Sequence, residues 1–306
     1  MTRIAHVSDL HVLDLREVSP LRFLNKRVTG WANLRFKRKH VHKPEALARV
    51  LEAVHDAKPD HLVVTGDLTN LALEREFEAV RRILAEVVRM PKEQVSIIPG
   101  NHDAYTRGSA KSGRFSSFFH EFTASDRPAL AAKLPVGNFP FVRFVGDDVA
   151  LIGLSTAVPS LPMFAGGALG RPQLEALGRI LADPEVARRV PVLLGHHPLH
   201  LPPTLWKRIS QGLADSASLL EVLGRLERVF YLHGHLHTRL ERTLPTRAGA
   251  VTIFGATSAS LLESDPHRRA GFNLYDFDRR SVKARAFVLP EAGEGAFEER
   301  ALPFVA

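Results

Sequence analysis

The chain has 306 residues, enough for one large catalytic core. Hydrophobic residues make up 45% of it and charged residues 24%, so a disordered or fibrous protein is excluded. Cysteine is absent, and any bound metal must therefore be held by His, Asp, Glu or Asn. Lys and Arg (41) outnumber Asp and Glu (33), and the net charge of +8 favours phosphate-bearing partners, whether small phosphoesters, nucleic acid or anionic membranes.

The N-terminus leads directly into a strand-like segment and lacks the apolar core of a signal peptide. The chain also lacks an apolar run of roughly 18 residues, the length that a membrane span requires. We therefore expect a cytoplasmic protein, which attaches to a membrane only if a surface segment holds it there.

Apolar segments of strand length alternate with helical patterns along most of the chain. Predicted strands cover residues 4–7, 62–65, 95–98, 149–154, 192–194, 229–232 and 251–254. Predicted helices cover residues 44–58, 73–90, 174–181 and 217–226. After about residue 245 the strands follow one another without helices, with period-two patterns at 272–277 and 282–288. The order predicts an α/β fold of mixed sheets with antiparallel strands at its end.

Two segments interrupt this order. Residues 16–43 interleave basic side chains with apolar ones, a pattern typical of an amphipathic helix at a membrane surface or of a nucleic-acid surface. A solvated helical hairpin packed over the active site explains the same pattern equally well. Residues 104–140 contain Gly, Ser and Phe and are predicted to be a loop. Substrate specificity is expected in that loop and in residues 156–170, because binding residues concentrate on loops.

Metal-binding residue types follow the predicted strands. They are Asp9, His11, Asp67, Asn101, His102, His196, His235 and His237. The carboxyl ends of strands share one edge of an α/β sheet, so these distant residues are expected to converge. Mixed imidazole and oxygen ligands favour divalent transition metals. A single tetrahedral zinc takes about four ligands, so this larger set suggests two ions bridged by Asp67.

Each of these residues taken alone has a structural interpretation as well. A single histidine is more often a packing or surface residue than a ligand, and Gly-Asn is ordinary turn chemistry. His6 and His61 are interpreted as packing residues, whereas surface or loop positions are assigned to His40, His42, His55, His120 and His267. Packing and a contact with the site remain equally open for His197, His200 and His233.

Taken in order, the sequence motifs resemble those of a known family. DLH at 9–11, GD at 66–67, GNHD at 100–103, GHH at 195–197 and GHLH at 234–237 resemble the calcineurin-like metallophosphoesterase superfamily. The resemblance covers residues 9–237 and rests on the combination of motifs. It implies a four-layer αββα sandwich of two mixed β-sheets flanked by helices. We expect residues 1–306 to form one such domain, with the basic insertion at about 14–44.

The resemblance also implies roles for individual residues. Asp9, His11, Asp67 and His237 would hold one ion, and Asp67, Asn101, His196 and His235 would hold the other. The two ions would be divalent transition metals such as Mn, Fe or Zn. His102 and Asp103 would be the catalytic pair, with His102 contacting the phosphate and assisting the leaving group.

These residues predict a dinuclear metal-dependent phosphoester hydrolase, in which metal-bridging hydroxide attacks directly. GDLTN followed by Glu76 and Phe77 is similar to bacterial cyclic-nucleotide phosphodiesterase-like members, which favours a phosphodiester substrate. The first alternative is hydrolysis of a lipid-linked pyrophosphate, as in the UDP-diacylglucosamine hydrolases of the superfamily, with residues 16–43 contacting the membrane. The second is a non-catalytic interaction scaffold, which occurs in family members that have lost metal ligands.

Overall fold

The computed structural model describes residues 1–19, 42–104, 106–159, 164–200, 204–279 and 281–302. The predicted basic insertion therefore lies largely outside the described residues, as do His40 and part of the 156–170 loop. Among the helices in the described ranges, none is long and apolar enough to cross a membrane.

The described strands form two six-stranded sheets and one short hairpin. In spatial order, the first sheet consists of β14 (Glu298–Ala301), β13 (Val282–Val288), β12 (Gly271–Phe277), β1 (Thr2–Val7), β2 (His61–Val64) and β3 (Val95–Ile97). The second sheet consists of β10 (Leu240–Pro245), β11 (Ala250–Gly255), β9 (Arg228–His233), β8 (Val190–Leu194), β7 (Val149–Gly153) and β6 (Phe141–Val145). The hairpin pairs β4 (Ala132–Leu134) with β5 (Gly137–Phe139).

Both sheets are mixed. In the first sheet β1, β2 and β3 are parallel, whereas β12, β13 and β14 continue the sheet in antiparallel pairs. In the second sheet β7, β8, β9 and β11 are parallel, and β6 and β10 are antiparallel strands at its two edges. The prediction of a mixed α/β fold with antiparallel strands at its end is confirmed.

The two sheets pack face to face through aromatic side chains. Phe230 of β9 lies with its ring centre 5.1 Å from that of Phe277 of β12, and Phe254 of β11 lies 4.8 Å from Tyr275. All four side chains are almost completely buried. Aromatic rings at these separations combine a large buried apolar area with favourable ring geometry, so they join the sheets into one core.

Helices cover the outer faces of both sheets. The described α-helices are α1 (Pro44–Asp56), α2 (Glu74–Ile83), α3 (Arg107–Lys111), α4 (Arg114–Phe119), α5 (Arg171–Leu181), α6 (Pro184–Ala187), α7 (Leu205–Gln211) and α8 (Ser216–Leu223). Helix α1 starts with Pro44, whose fixed φ suits a first helical position, and it buries Leu47, Val50 and Val54 against the first sheet. Leu177 of α5 and Leu219 of α8 pack on the second sheet. The layers therefore follow the predicted αββα sandwich.

The segment 104–140 differs from its prediction as a loop. It forms the two short helices α3 and α4, two 3₁₀ turns and the β4–β5 hairpin. Phe115 and Phe119 of α4 are buried, and Phe119 contacts Phe77 of α2 with ring centres 5.6 Å apart. The prediction was wrong because helices this short leave little periodicity in the sequence, and burial of the phenylalanines stabilises them.

Candidate metal centre

The carboxyl ends of five parallel strands meet at one edge of the sandwich. Asp9 and His11 follow β1, Asp67 follows β2, and Asn101 follows β3 after a short turn. His196 follows β8, and both His235 and His237 follow β9. Donor atoms of Asp9, His11 and Asp67 lie within 4.8 Å of one another, as do those of Asp67, His196 and His235. The sheet edge thus gathers residues that are far apart in the sequence.

Five of these residues have left-handed backbone conformations. Their φ angles are 52° for Asp9, 49° for His11, 49° for Asp67, 66° for His235 and 49° for His237. A non-glycine residue in this region costs about 1–2 kcal/mol. Strained backbone of this kind concentrates at functional sites, where it aims side chains that regular strands cannot aim. The strain here turns both members of the Asp-x-His and His-x-His pairs into the cluster.

Two glycines make the close approach of the loops feasible. Gly66 has a φ of +91°, and a Cβ atom placed on it would lie 2.6 Å from the backbone nitrogen of Gly100. A Cβ atom on Gly100 would lie 2.2 Å from the backbone nitrogen of Asp67. Because no side chain fits there, glycine lets the β2 and β3 loops touch directly behind Asp67.

The cluster divides into two groups according to its surroundings. The inner group consists of Asp67, Asn101, His196 and His235, with His196 completely buried and Asp67 2% exposed. The cavity-side group consists of Asp9, His11, His42 and His237. His11 and His42 of this group line a cavity of about 540 Å³ between α1 and α2.

The inner group is held by the backbone beneath it. Nδ1 of His196 donates to the carbonyl of Thr65 at 2.7 Å, which turns Nε2 toward the other donor atoms. Nε2 then lies 3.1 Å from Oδ1 of Asn101 and 3.4 Å from Oδ2 of Asp67. A backbone hydrogen bond from one ring nitrogen is the usual way in which proteins fix the tautomer of a metal-binding histidine.

The cavity-side group shows equally short distances. Nε2 of His237 lies 3.0 Å from Oδ1 of Asp9 and 3.2 Å from Nε2 of His11. The second carboxylate oxygen of Asp9 accepts a hydrogen bond from the backbone nitrogen of His235 at 3.0 Å. Asp9 therefore connects the two groups through the β9 loop.

These spacings fit divalent cations. Two ligand atoms that lie about 2.1 Å from one ion at a right angle are about 3.0 Å apart. Measured donor separations run from 3.0 Å for His237 and Asp9 to 3.4 Å for His196 and Asp67. Imidazole nitrogen together with carboxylate and amide oxygen is also the ligand chemistry of divalent transition metals.

The electrostatics of the cluster also favour cations. Burial opposes ionisation of Asp9, but the charge and hydrogen bond of His237 together with the charge of His196 outweigh it and lower the pKa of Asp9 to about 2. Burial likewise opposes ionisation of Asp67, but its histidine neighbours, His196 first, hold its pKa well below the ordinary value. Burial and the charge of His196 lower the pKa of His235 to about 3. Two buried carboxylates are therefore ionised beside a neutral imidazole, an arrangement that a metal ion stabilises.

His102 and Asp103 point in different directions. Nδ1 of His102 donates to the carbonyl of Asn70 at 2.7 Å, and its ring centre lies 5.1 Å from that of His11. The carboxylate of Asp103 is buried and instead accepts from the backbone nitrogens of Leu68, Thr69 and Gly100. Asp103 therefore fastens the loop that carries Asp67, whereas His102 faces the cluster.

His42 is the site residue that the sequence analysis missed, because it was interpreted as a surface or loop position. Its ring is half-buried and stands edge-on to His11, with ring centres 4.8 Å apart, and to His237 at 5.7 Å. His42 stands two residues before helix α1. An isolated bridge to Leu261 brings it to the site, and this long-range contact leaves no signature in the local sequence.

Five further described histidines are packing residues or supports. His6 and His61 are buried and hydrogen-bonded to Thr65 and Ser96, which confirms the packing interpretation. His197 backs the inner group, with its ring centre 4.5 Å from that of His235. Its Nε2 donates to the carbonyl of Ala165. His200 and His233 contact each other, with ring centres 5.6 Å apart.

Comparison with known proteins identifies the class. The family model described as calcineurin-like phosphoesterase matches residues 2–239. The chain belongs to this family. Membership implies a phosphoester substrate and a dinuclear divalent metal centre, and the residues gathered at the sheet edge have the chemistry to form one. A search of curated protein sequences finds no significant match.

Solved structures share the fold. A dimetal phosphatase from Danio rerio is 14% identical, with a TM-score of 0.56 and coverage of 93% of this chain and 95% of that one. PhoD is 11% identical, with a TM-score of 0.62 over 98% of this chain and 68% of PhoD. A purple acid phosphatase from yellow lupin (Lupinus luteus) seeds is 14% identical, with a TM-score of 0.57 and coverage of 97% of this chain and 53% of that one. Identities this low support the fold and leave the substrate open.

Proposed function

We propose that this phosphoesterase is a phosphodiesterase with two divalent transition-metal ions such as Mn, Fe or Zn. Asp9, His11, Asp67 and His237 would hold one ion, and Asp67, Asn101, His196 and His235 would hold the other. The observation that carries this proposal is the position of Asp67, whose carboxylate lies within 4.8 Å of ligand atoms from both groups. A carboxylate in that position is suited to bridge two ions.

Two bound cations would supply an activated water and stabilise the charge of the phosphate. The protein's own groups supply the rest. His102 binds the departing oxygen through Nε2 while the carbonyl of Asn70 holds its Nδ1–H. In its doubly protonated form, His102 transfers the Nε2 proton to the leaving group. Asp103 is a positioning residue, because its hydrogen bonds to Leu68 and Thr69 orient the Asp67 loop.

A substrate panel tests this proposal. Metal-free protein reloaded with Mn²⁺ should hydrolyse bis(p-nitrophenyl) phosphate faster than p-nitrophenyl phosphate, because a phosphodiester is the proposed substrate class. A cyclic nucleotide in the same panel tests the similarity of GDLTN, Glu76 and Phe77 to cyclic-nucleotide phosphodiesterases. A preparation that binds two ions yet cleaves none of these esters would refute the phosphodiesterase and favour the interaction scaffold.

The cavity supports a second candidate, hydrolysis of a phosphoester or pyrophosphate that carries an apolar chain, as in a UDP-diacylglucosamine-like lipid. Leu47, Ala48, Ile83 and Val87 line the cavity directly beside His11. Each methylene transferred into such a site contributes about 0.8 kcal/mol. The Michaelis constant should then fall about fourfold per methylene along a series of alkyl p-nitrophenyl phosphates until the cavity is full. A Michaelis constant independent of chain length would eliminate this candidate.

The basic residues of 16–43 give the lipid candidate a further test. Their charge favours an anionic membrane surface, and nucleic acid is the rival partner. Flotation with vesicles of phosphatidylglycerol should carry the full chain upward but not a chain lacking residues 16–43. Retention of the full chain on single-stranded DNA, without flotation, would favour nucleic acid instead.

A further inference from the structure

We infer that His42 is an eighth ligand of the centre and adds a third imidazole to the cation beside His11 and His237. This inference rests on the proposed dinuclear function and deepens it. One ring nitrogen from each of His11, His42 and His237 lies within 4.8 Å of the others. The ring of His42 stands edge-on to both neighbours, an orientation that brings ring nitrogens together rather than stacking ring faces.

A chain of hydroxyl groups fixes the tautomer of His42. Oγ of Ser258 donates to the backbone carbonyl of Asp9, because a carbonyl oxygen only accepts. A hydroxyl has one proton, so Ser258 can only accept from its other neighbours, Oγ of Ser260 at 3.2 Å and Nδ1 of His42 at 3.4 Å. The proton of Ser260 is thereby used, and Ser260 accepts from Nδ1 of His42 at 2.8 Å. The proton of neutral His42 consequently sits on Nδ1.

This tautomer suits a metal ligand. With the proton on Nδ1, Nε2 of neutral His42 carries the lone pair and can bind a cation, whereas donation to a phosphate oxygen would require a second proton on the ring. Metal-binding histidines usually donate the other ring N–H to a neighbouring acceptor, and Ser260 is that acceptor here. The same series of hydrogen bonds ends on the carbonyl of Asp9, so it connects His42 and Asp9, two proposed ligands of one ion.

His42 also lies at the C-terminal end of the basic insertion of residues 16–43, two residues before α1 begins at Pro44. Its backbone forms a bridge with Leu261. A bond from His42 to the cation would therefore join this end of the insertion to the metal centre. No other proposed ligand lies on this part of the described chain.

Metal titration of three variants tests the assignment. Metal-free H42Q, S260A and wild-type protein are titrated with Mn²⁺ by calorimetry, and the Co²⁺-loaded proteins are compared by their visible absorption bands. H42Q should bind one of its two ions at least about 10- to 100-fold more weakly, which is the typical loss when only a hydrogen-bond partner of a ligand is removed, and it should show altered Co²⁺ bands. S260A keeps the imidazole and removes only its acceptor, so its affinity loss should lie near the lower end, about 10-fold. If H42Q does not fold, S260A carries the test.

His55 provides the matched control. It is a half-buried histidine of α1 that donates to the carbonyl of Val88, away from the cluster. H55Q should match the wild type in both affinities and in the Co²⁺ spectrum. Wild-type affinities and bands in H42Q and S260A would overturn the assignment, as would a raised Michaelis constant in H42Q without any change in metal binding. A wild-type protein that binds no metal would instead refute the proposed dinuclear centre itself.

Discussion

The two groups of the proposed centre differ in what lies behind them. Packed protein lies behind the inner group, because His197 contacts His235 and is itself held by Thr156 and Ala165. The cavity-side group borders an apolar space of about 540 Å³. In the proposed function, the inner group would hold its ion against packed protein, and the cavity-side group would face the variable part of the substrate.

The largest expected effect comes from the residue that the two groups share. Asp67→Asn removes the bridging charge, so neither group holds its ion firmly, and hydrolysis of bis(p-nitrophenyl) phosphate should fall below detection. Metal content by mass spectrometry should fall together with turnover. The control is Asp147→Asn, an exposed position that should leave both unchanged. Full metal content and full rate in Asp67→Asn would show that Asp67 does not bridge two ions.

His102 tests whether proton transfer can be separated from metal binding. His102→Gln should retain both ions and lower turnover of an alkyl phosphodiester by about 100- to 10,000-fold. The loss should be smaller with p-nitrophenyl leaving groups, because p-nitrophenolate departs without a proton. His120→Gln, an exposed histidine of the same residue type, serves as the control. Equal losses for both leaving groups would exclude a proton donor at His102.

A larger side chain in the cavity tests whether the substrate binds there, beside the cavity-side group. Ala48 lines the cavity from α1. Ala48→Phe should raise the Michaelis constant of a long-chain phosphodiester about 10-fold and leave that of the methyl ester near its wild-type value. The control is Ala53→Phe, on the same helix but outside the cavity lining. If both esters respond alike to Ala48→Phe, the cavity does not receive the substrate.

The last prediction concerns stability, not catalysis, and involves the loop that follows Asp67. Glu76 is buried and accepts from the backbone nitrogens of Leu71 and Leu73. Burial raises the pKa of Glu76 to about 8, so the folded protein keeps a proton that the unfolded chain loses above its ordinary pKa of 4.5. This contribution to stability is complete below pH 4.5 and is lost as the pH rises to about 8.

Glu76→Gln removes that pH dependence because glutamine stays neutral. Between pH 5 and 8, the free energy of unfolding of the variant should rise relative to that of the wild type by up to about 1.4 kcal/mol per pH unit. Urea unfolding of the metal-free proteins measures it. Glu78→Gln, an exposed carboxylate of the same helix, provides the control. Parallel curves for Glu76→Gln and wild type would show that Glu76 is ionised in the fold.

The sequence predicted the sheet-edge residues better than their surroundings. Asp9, Asp67 and His196 follow apolar strands, and the common edge of parallel strands brings them together regardless of the loops between them. His42 escaped prediction because its position depends on a bridge to Leu261 and on hydroxyls far along the chain. Asp103 shows the reverse: its motif was recognised, but the direction of its carboxylate depends on backbone amides that no motif encodes.

Elements of the fold could likewise be predicted only where the sequence pattern is long and regular. Long amphipathic helices such as α1 and central strands such as β9 are visible because their apolar period extends over many residues. The edge strand β10 was missed because its alternating pattern is weak and most of its side chains are partly or fully exposed. Helices α3 and α4 were missed because they are only 5 and 6 residues long.

A crystal structure of the Mn²⁺-loaded protein, with anomalous scattering measured at the manganese edge, tests the central claim most directly. Two anomalous peaks are predicted, one among Asp9, His11, His42 and His237 and the other among Asn101, His196 and His235, with the carboxylate of Asp67 between them. A single peak, or two peaks that do not share Asp67, would contradict the account.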